Sequence, residues 1–362
     1  MPDHRTAASV VHSLRELLEL GALDLPQPGQ GSTAVRWEAL AALGRRDLAL
    51  ARLAEGHVDA VAILREAGED VLPGLHGVWA SKAGGTGAVL KNGALTGTTR
   101  FCSGAHGLDR ALVVAAREDG DVLVDVDLTD PRVLRDGDSW RAIGMDASDS
   151  ADVTFDGVPA TRVVGPAGFY TGRPGFLWGG GGVAAVWHGG SAGLVERLVR
   201  HLRSSARVDE HRLAHLGALH TALRGTAALL RATADGIDAR PDADPAIAVH
   251  ALRASAERTA WTVMDLLPRA TGPGPLSWDR GFAQALADLQ LYVRQHHAER
   301  DLAELGRLVL EARRADGDRV AGGAGGGATG AAATPGDGGI AAAGGSPSQV
   351  DGVGQERAWA RA

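Results

Sequence analysis

Apolar residues recur at helical spacing in the first and last thirds of the chain. Near the N-terminus the repeat is carried by Val10, Leu14, Leu17 and Leu18. Gly21 follows this segment as a stop signal, and the same period returns between residues 37 and 68. After residue 179 the period predicts a run of long helices, three of which cover 213–237, 246–267 and 281–310. Short turns rich in proline and glycine separate them, which is typical of antiparallel helices in a bundle.

Between these helical parts the pattern changes to short apolar runs separated by turn residues. Asn92-Gly93 stands between two such runs and favours a two-residue type I′ hairpin, because both central positions of that turn need positive φ. The runs predict strands over 78–80, 87–90, 94–98, 111–116, 122–126, 153–155 and 161–164. Short antiparallel strands over about 100 residues predict a barrel or a sandwich.

The order of these elements predicts an α+β protein. We expect an N-terminal helical lobe over residues 1–75, a middle antiparallel β-barrel over 76–178 and a C-terminal four-helix bundle over 179–312. Residues 313–362 are rich in glycine and alanine and have few side chains that could bury surface, which predicts a disordered tail. The run Gly179–Gly182 lacks the Gly-Lys-Ser/Thr of a phosphate-binding loop, so a hinge before a closely packed helix is the favoured interpretation.

Composition narrows the class of protein. With 362 residues, 44% hydrophobic and 22% charged, the chain is typical of a soluble globular protein. Its net charge of -7 offers no basic surface for nucleic acid, and no apolar run is long enough for membrane insertion, so we expect a cytoplasmic protein. Cys102 is the only cysteine, which excludes an intrachain disulfide and a thiolate metal cluster. Inside a strand it is more often a small buried hydrophobe than a nucleophile.

Two segments in the middle of the chain resemble a pair of motifs of the acyl-CoA dehydrogenase superfamily. The first is LTGTTRFCSGA, residues 95–105, with Asp109 following it, and the second is WRAIGMDASDSADVTFDGVP, residues 140–159. Both occur in the family's order. The resemblance implies FAD bound between barrel and bundle, oxidation of the CH–CH group of an acyl thioester, a homodimer or homotetramer, and an electron-transfer partner.

The resemblance also implies which residues contact the flavin. In the family, an aromatic residue and, two positions later, a hydroxyl lie on the strand beside the isoalloxazine ring. Phe101 and Ser103 match these positions on either side of Cys102, and a period of two places both on one strand face. The alternative is a phenylalanine of the barrel core followed by a serine at the strand end.

Further cofactor contacts follow from weaker matches. Trp79, Ala80 and Ser81 match the strand that holds the pyrimidine end of the flavin, although Ser-Lys-Ala replaces the usual Thr-Glu-Pro. The family's Arg-x-x-Phe-Gly motif, which holds the flavin pyrophosphate, is absent. Arg207 and Arg212 occupy the same region, either as pyrophosphate ligands or as exposed helix charges.

The family's catalytic glutamate is not found. Aligning Ala287-Asp288 with the family's Arg-Asp pair places His296 near the glutamate's position. Helical periodicity puts His296 on an apolar stripe and turns His297 away, although a histidine on such a stripe is also commonly a core residue. His57, in the N-terminal lobe, is a further candidate for the same cavity, against the simpler interpretation of a helix-surface histidine.

Three functions therefore stay open. The first is a dehydrogenase with Ser103 at the flavin and His296 as the base, since a histidine titrates near neutral pH. The second is a flavin-dependent monooxygenase of the same fold, which takes reduced FMN or FAD as a co-substrate together with oxygen. The third is a binding or assembly subunit that has lost its catalytic glutamate.

Overall fold

A computed structural model describes residues 5–323, with side chains described as far as residue 314. The N-terminal part contains helices α1 (Ala7–Glu19), α2 (Thr33–Arg46) and α3 (Leu48–Glu66). The strands that follow are β1 (His76–Trp79), β2 (Gly87–Lys91), β3 (Ala94–Cys102), β4 (Arg110–Arg117), β5 (Gly120–Asp127), β6 (Val133–Asp136), β7 (Ala151–Pro159) and β8 (Arg162–Val164). The remaining helices are α4 (Phe169–Gly172), α5 (Gly175–Ser204), α6 (Glu210–Ala239), α7 (Ala246–Thr271), α8 (Pro273–Trp278), α9 (Arg280–Tyr292) and α10 (Glu299–Gly323).

The strands form one mixed sheet in the order β6-β7-β3-β2-β4-β5-β8, with β1 paired to β4. The β2–β3 hairpin has positive φ at Asn92 (51°) and Gly93 (77°), as the type I′ turn requires. The sheet is not purely antiparallel, because β1 and β2 both pair with β4 in parallel. Within residues 5–323 no pairing joins β6 to β8, so the predicted closed barrel is replaced by an open path of strands. Strand β6 was not predicted from the sequence.

Helix α5 is the centre of the helical part. It packs against α2, α6, α7 and α9, so helices from both ends of the chain share one core with the sheet. The run Gly179–Gly182 lies inside this helix, and the predicted hinge is therefore wrong. These small residues serve close packing, because Trp37 occupies the space where a Cβ of Gly181 would lie.

The predicted helix over 281–310 is divided in two. Helix α9 starts at the N-cap Asp279, whose side chain accepts a hydrogen bond from the Phe282 N–H, and it ends at Tyr292. A short 3₁₀ turn follows, His296 is extended, and Ala298 is left-handed with φ 46° before α10 begins.

Helix α10 reaches Gly323, so residues 313–323, assigned to a disordered tail from composition, are helical. The rest of that predicted tail, residues 324–362, lies outside the described residues. No helix in the described range is both long and apolar enough to cross a membrane.

Candidate functional site

A cleft of about 440 Å³ lies between the sheet and the connection from α9 to α10. Both tyrosines of the chain line it together with three other aromatic residues, so its walls suit a flat aromatic molecule. Its lining consists of Arg52, Val78, Trp79, Ala80, Ser81, Phe101, Ser103, Trp140, Met145, Ser148, Ser150, Tyr170, Leu291, Tyr292, Arg294, Gln295 and His297. The structure thus brings together five residues predicted from the sequence to contact flavin, namely Trp79, Ala80, Ser81, Phe101 and Ser103.

The end of strand β3 is bent, and this bend directs its side chains. The register against β7 shifts between Thr99 and Cys102, and Phe101 takes left-handed φ of 60°. Phe101 and Ser103 therefore both line the cleft, with Cys102 buried between them. A left-handed residue with a side chain costs about 1–2 kcal/mol, so the surrounding structure must hold this conformation. Phe101 packs edge-on against Trp140, with ring centroids 6.3 Å apart.

The two segments that carry the family resemblance bond to each other. Gly104 N–H donates to the Ser148 carbonyl (2.9 Å) and Ala105 N–H donates to the Asp149 carbonyl (2.8 Å). The Asp149 carboxylate accepts from the backbone N–H groups of His106 (2.7 Å) and Gly107 (2.9 Å). The sequence pair is therefore one structural unit that forms a wall of the cleft.

Three serine hydroxyls form a chain that leads from this wall into the protein. Ser103 Oγ lies 3.1 Å from Ser150 Oγ, and Ser150 Oγ lies 2.8 Å from Ser148 Oγ. Ser148 Oγ lies 2.7 Å from the Met145 carbonyl oxygen. The Trp79 indole N–H donates to the Ser103 carbonyl (3.0 Å) and fixes the backbone at Ser103, the first of the three serines.

A buried charged pair, Arg52 and Glu55, lies where helix α3 meets the end of helix α9. Arg52 Nη1 and the Tyr292 hydroxyl both donate to Glu55 Oε2, at 2.6 and 3.0 Å. Burial raises the pKa of Glu55, with Arg52 opposing the shift. Burial and the nearby Glu55 charge also raise the pKa of Tyr292, which is therefore a neutral hydroxyl at neutral pH. Arg52 and Tyr292 line the cleft, whereas Glu55 does not.

His297 lines the cleft and His296 does not, which reverses the predicted orientation. The helical stripe assumed for His296 ends at Tyr292, so the 3.6-residue period no longer applies at residue 296. His296 is 2% exposed, burial lowers its pKa, and its Nδ1 has no hydrogen-bond partner within the described part of the chain. His297 Nδ1 lies 3.3 Å from Asp301 Oδ1, and the backbone N–H of His297 donates to Asp301 Oδ2 (3.1 Å). No glycine or proline between 293 and 298 marks this break in the sequence.

His57 lies in the core of the protein, neither in the cleft nor on the helix surface. Its Nδ1 accepts a hydrogen bond from the His76 backbone N–H (3.1 Å) and the residue is 4% exposed. Burial, and then the neighbouring His76, lower the pKa of His57 to about 4. His57 therefore links helix α3 to strand β1 through this hydrogen bond.

The remaining predicted residues lie away from the cleft. Cys102 is buried, its thiol contacts the Thr99 carbonyl (3.2 Å), and burial raises its pKa, so it is an unreactive thiol. Arg207 is exposed between α5 and α6. Arg212 lies in the first turn of α6, 3.6 Å from an Asp209 carboxylate oxygen. Neither arginine is among the residues that line the cleft.

This arrangement of helices and mixed sheet defines the acyl-CoA dehydrogenase fold, which dehydrogenases share with a group of monooxygenases. Similar solved structures include dibenzothiophene monooxygenase TdsC from Paenibacillus sp. A11-2, with 20% identity, a TM-score of 0.66, and coverage of 85% of this chain and 98% of that chain. Methanesulfinate monooxygenase MsuC from Pseudomonas fluorescens has 18% identity and a TM-score of 0.67, covering 77% and 83%. Butyryl-CoA dehydrogenase from Megasphaera elsdenii has 16% identity and a TM-score of 0.66, covering 75% and 80%.

At 16–20% sequence identity, these comparisons show that the proteins share a fold and show nothing further. No protein-family model matches the sequence, and no curated protein sequence matches it.

Proposed function

We propose that this protein is a flavin-dependent monooxygenase that uses reduced FMN or FAD and oxygen to oxidise a small aromatic or heteroatom-containing molecule. The observation that carries the proposal is the set of groups in the cleft. A hydroxyl, Ser103, and an imidazole, His297, both line it, and none of the described residues lining it is a carboxylate. A CH–CH dehydrogenase needs a positioned base for the α-proton, usually a desolvated carboxylate.

The cleft fits a flavin ring. Trp79, Phe101 and Trp140 provide flat apolar surface, and Ser103 provides a polar group in the lining. TdsC, one of the similar structures, was solved with bound FMN. When bound, a reduced flavin supplies the two electrons of the reaction, in which one oxygen atom of O₂ enters the substrate and the other leaves as water. A separate reductase must then regenerate the reduced flavin, so we propose such an electron-transfer partner.

The residues of the chain bind, orient and move protons. We assign His297 as the group that takes a proton from the substrate, because the contact from Nδ1 to Asp301 leaves Nε2 as the acceptor. It replaces His296 as the candidate base, since burial keeps His296 out of the cleft. Arg207 and Arg212 do not line the cleft of their own chain, so either could hold the pyrophosphate of FAD only from a second copy, and we propose a homodimer or homotetramer with this role for one of them.

The dehydrogenase stays a second candidate because of Glu55. Its carboxylate has a raised pKa and accepts a hydrogen bond from the cleft-lining Tyr292 hydroxyl. Tyr292 could therefore transfer its own hydroxyl proton to Glu55 as it takes a proton from the substrate, which leaves Tyr292 neutral and Glu55 protonated. Oxidised flavin, with FAD as the expected form, would supply the hydride acceptor for the β-carbon of an acyl thioester in that reaction.

Titration of the purified protein with FMN and FAD, oxidised and reduced, separates the possibilities. Tighter binding of reduced flavin, followed by oxygen uptake that depends on an aromatic or heteroatom substrate such as indole or dibenzothiophene, supports the monooxygenase. A yellow protein that acyl-CoA bleaches without oxygen supports the dehydrogenase instead. Absence of flavin affinity in either redox state contradicts both and leaves the non-catalytic subunit.

A further inference from the structure

Two arginines are among the described residues that line the cleft, and their environments differ. Arg52 already has a counter-ion, because its Nη1 donates to Glu55 Oε2 at 2.6 Å and the Glu55 side chain is only 6% exposed. The charge of this guanidinium is therefore balanced at contact distance. Arg294, on the connection between α9 and α10, has no such close carboxylate among the described residues.

Helix α7 holds the Arg294 side chain from outside the cleft. The guanidinium carbon lies 4.5 Å from the centre of the Trp261 ring, within the range of a cation–π contact. Its Nη2 donates to Glu257 Oε1 at the long distance of 3.5 Å, and this oxygen also accepts from the Trp261 indole N–H at 2.5 Å. Arg294 lines the cleft, whereas Glu257 and Trp261 do not.

The guanidinium of Arg294 keeps most of its hydrogen-bonding capacity. An arginine carries five N–H donors in a planar fork, and the contact to Glu257 is the one hydrogen bond that Arg294 makes within the described chain. The Trp261 ring holds the guanidinium without accepting these donors in the way that an oxygen would. A carboxylate or phosphate matches the geometry of such a fork and could accept two of its N–H groups together.

The charges along the cleft also favour a negatively charged ligand. None of the described lining residues is a carboxylate, so no lining group repels an anion. Arg294 and His297 are three residues apart on the same connection, and both line the cleft. An anionic group bound by Arg294 would therefore hold a molecule in the cleft that also contains the proposed proton acceptor.

We propose that Arg294 binds an oxyanion of the substrate, so that the substrate is a small aromatic or heteroatom-containing molecule with a carboxylate or a similar anionic group. The proposal rests on the function proposed above and narrows its substrate class. A bound flavin would also bring a phosphate to the protein, and the experiment separates this second source of an oxyanion from the substrate.

Arg294→Gln tests the role by removing the charge. Equilibrium dialysis, with and without oxidised FMN, measures the binding of indole-3-carboxylate and of indole-3-carboxamide, which have similar shapes and different charges. We expect the wild-type protein to bind the carboxylate more tightly. In Arg294→Gln the dissociation constant of the carboxylate should rise by about 5- to 20-fold, the usual contribution of a charged hydrogen bond reduced by solvent screening. That of the carboxamide should change by less than about 2-fold, because it carries no charge.

Three further variants make the result specific. Arg294→Lys keeps the charge but not the fork, so it should weaken carboxylate binding less than Arg294→Gln does. Trp261→Leu removes the ring beside the guanidinium and should give an intermediate loss, because a side chain that is free to move loses more entropy on binding. Arg269→Gln is the control, since Arg269 is an exposed residue of α7 that donates to Asp265 (2.7 Å) outside the cleft, and it should bind like the wild type.

The outcomes separate the inference from the function on which it rests. Equal affinity of the wild type for the carboxylate and the carboxamide, or an unchanged carboxylate affinity in Arg294→Gln, overturns the oxyanion site. If Arg294→Gln weakens the binding of FMN but neither that of riboflavin nor that of the carboxylate, the guanidinium binds the flavin phosphate and the substrate assignment is wrong. A wild-type protein that binds the carboxylate but no flavin in either redox state overturns the proposed function and leaves the oxyanion site in place.

Discussion

At the scale of single residues, His297 reaches the cleft because helix α9 ends at Tyr292, five residues before it. A continuous helix would have placed His296 and His297 about 100° apart, with the first turned inward. The 3₁₀ turn and the left-handed Ala298 rotate the chain so that His297 lies at the cleft beside Asp301. Two adjacent histidines thus have different environments, one buried and one in the cleft.

His297→Ala should keep flavin binding and lower kcat by about 10²- to 10⁴-fold, the usual contribution of a general base. The matched variant is His296→Ala, which removes a buried ring and should mainly lower the free energy of unfolding. Steady-state oxygen consumption and urea unfolding of both proteins measure these effects. Loss of turnover in His296→Ala with normal turnover in His297→Ala would reverse the assignment.

The backbone φ angle of Phe101 determines where its side chain lies. Its left-handed conformation interrupts the alternation of strand β3 and brings its ring to the cleft beside Trp140. Conformations of this kind persist where the surrounding structure holds them, and they cluster at functional sites. The position of Phe101 within the cleft agrees with this tendency.

At the scale of elements, helices α2 and α5 lie so close together that two positions of their contact, Gly44 and Gly189, have no room for a side chain. A Cβ at Gly44 would overlap the Val186 carbonyl, and a Cβ at Gly189 would overlap the Ala41 carbonyl. Because α2 precedes the sheet in sequence and α5 follows it, this contact ties the two helical parts together around the sheet.

Gly189→Ala should lower the free energy of unfolding by about 1–3 kcal/mol, because the added methyl group forces the two helices apart. Gly217 provides the control on the exposed face of helix α6, where a Cβ would meet open space. Gly217→Ala should raise the free energy of unfolding by about 0.4–1 kcal/mol, since alanine has less backbone entropy to lose. Urea unfolding compares the two, and a stabilising Gly189→Ala would contradict the close packing.

For the whole molecule, buried histidines link stability to pH, and the pKa shift is large for two of them, His57 and His188. Burial lowers the pKa of His57 and of His188 to about 4 each, with His76 adding to the first shift and Arg45 to the second. The unfolded chain binds these protons near pH 6.5 and the folded chain only near pH 4. Stability from both residues is therefore complete above about pH 6.5 and is lost as the pH falls towards 4.

His188→Leu should weaken this dependence, because it removes one of the two groups with a large pKa shift and also the Nδ1 atom that has no partner among the described residues. Between pH 7 and pH 4 the variant should lose about 3 kcal/mol less unfolding free energy than the wild type. Unfolding in urea across this pH range gives the measurement. His220→Gln, on the exposed face of α6, is the control and should follow the wild-type curve.

The cleft joins residues that are far apart in the chain, and the sequence predicted them unevenly. Phe101 and Ser103 were found because they lie in a short motif, although the bend at the end of strand β3, and not the regular strand period, brings Phe101 to the cleft. Ser150 was inside a recognised motif, but its contact with Ser103 needs the pairing of β3 with β7. Arg52, Glu55 and Tyr292 carried no sequence signal, because their contacts exist only where α3 meets the end of α9.

The sequence by itself determined the order of the helical and β-strand segments apart from strand β6 and the break after α9, the Asn92-Gly93 turn and the pair of motifs that form one wall of the cleft. These features depend on periodicity, turn chemistry and short motifs, all of which act over a few residues. The tertiary structure alone decided that Gly179–Gly182 continue a helix, that the sheet stays open, and that His297 rather than His296 reaches the cleft. Packing between distant segments sets these features, and local propensity does not encode it.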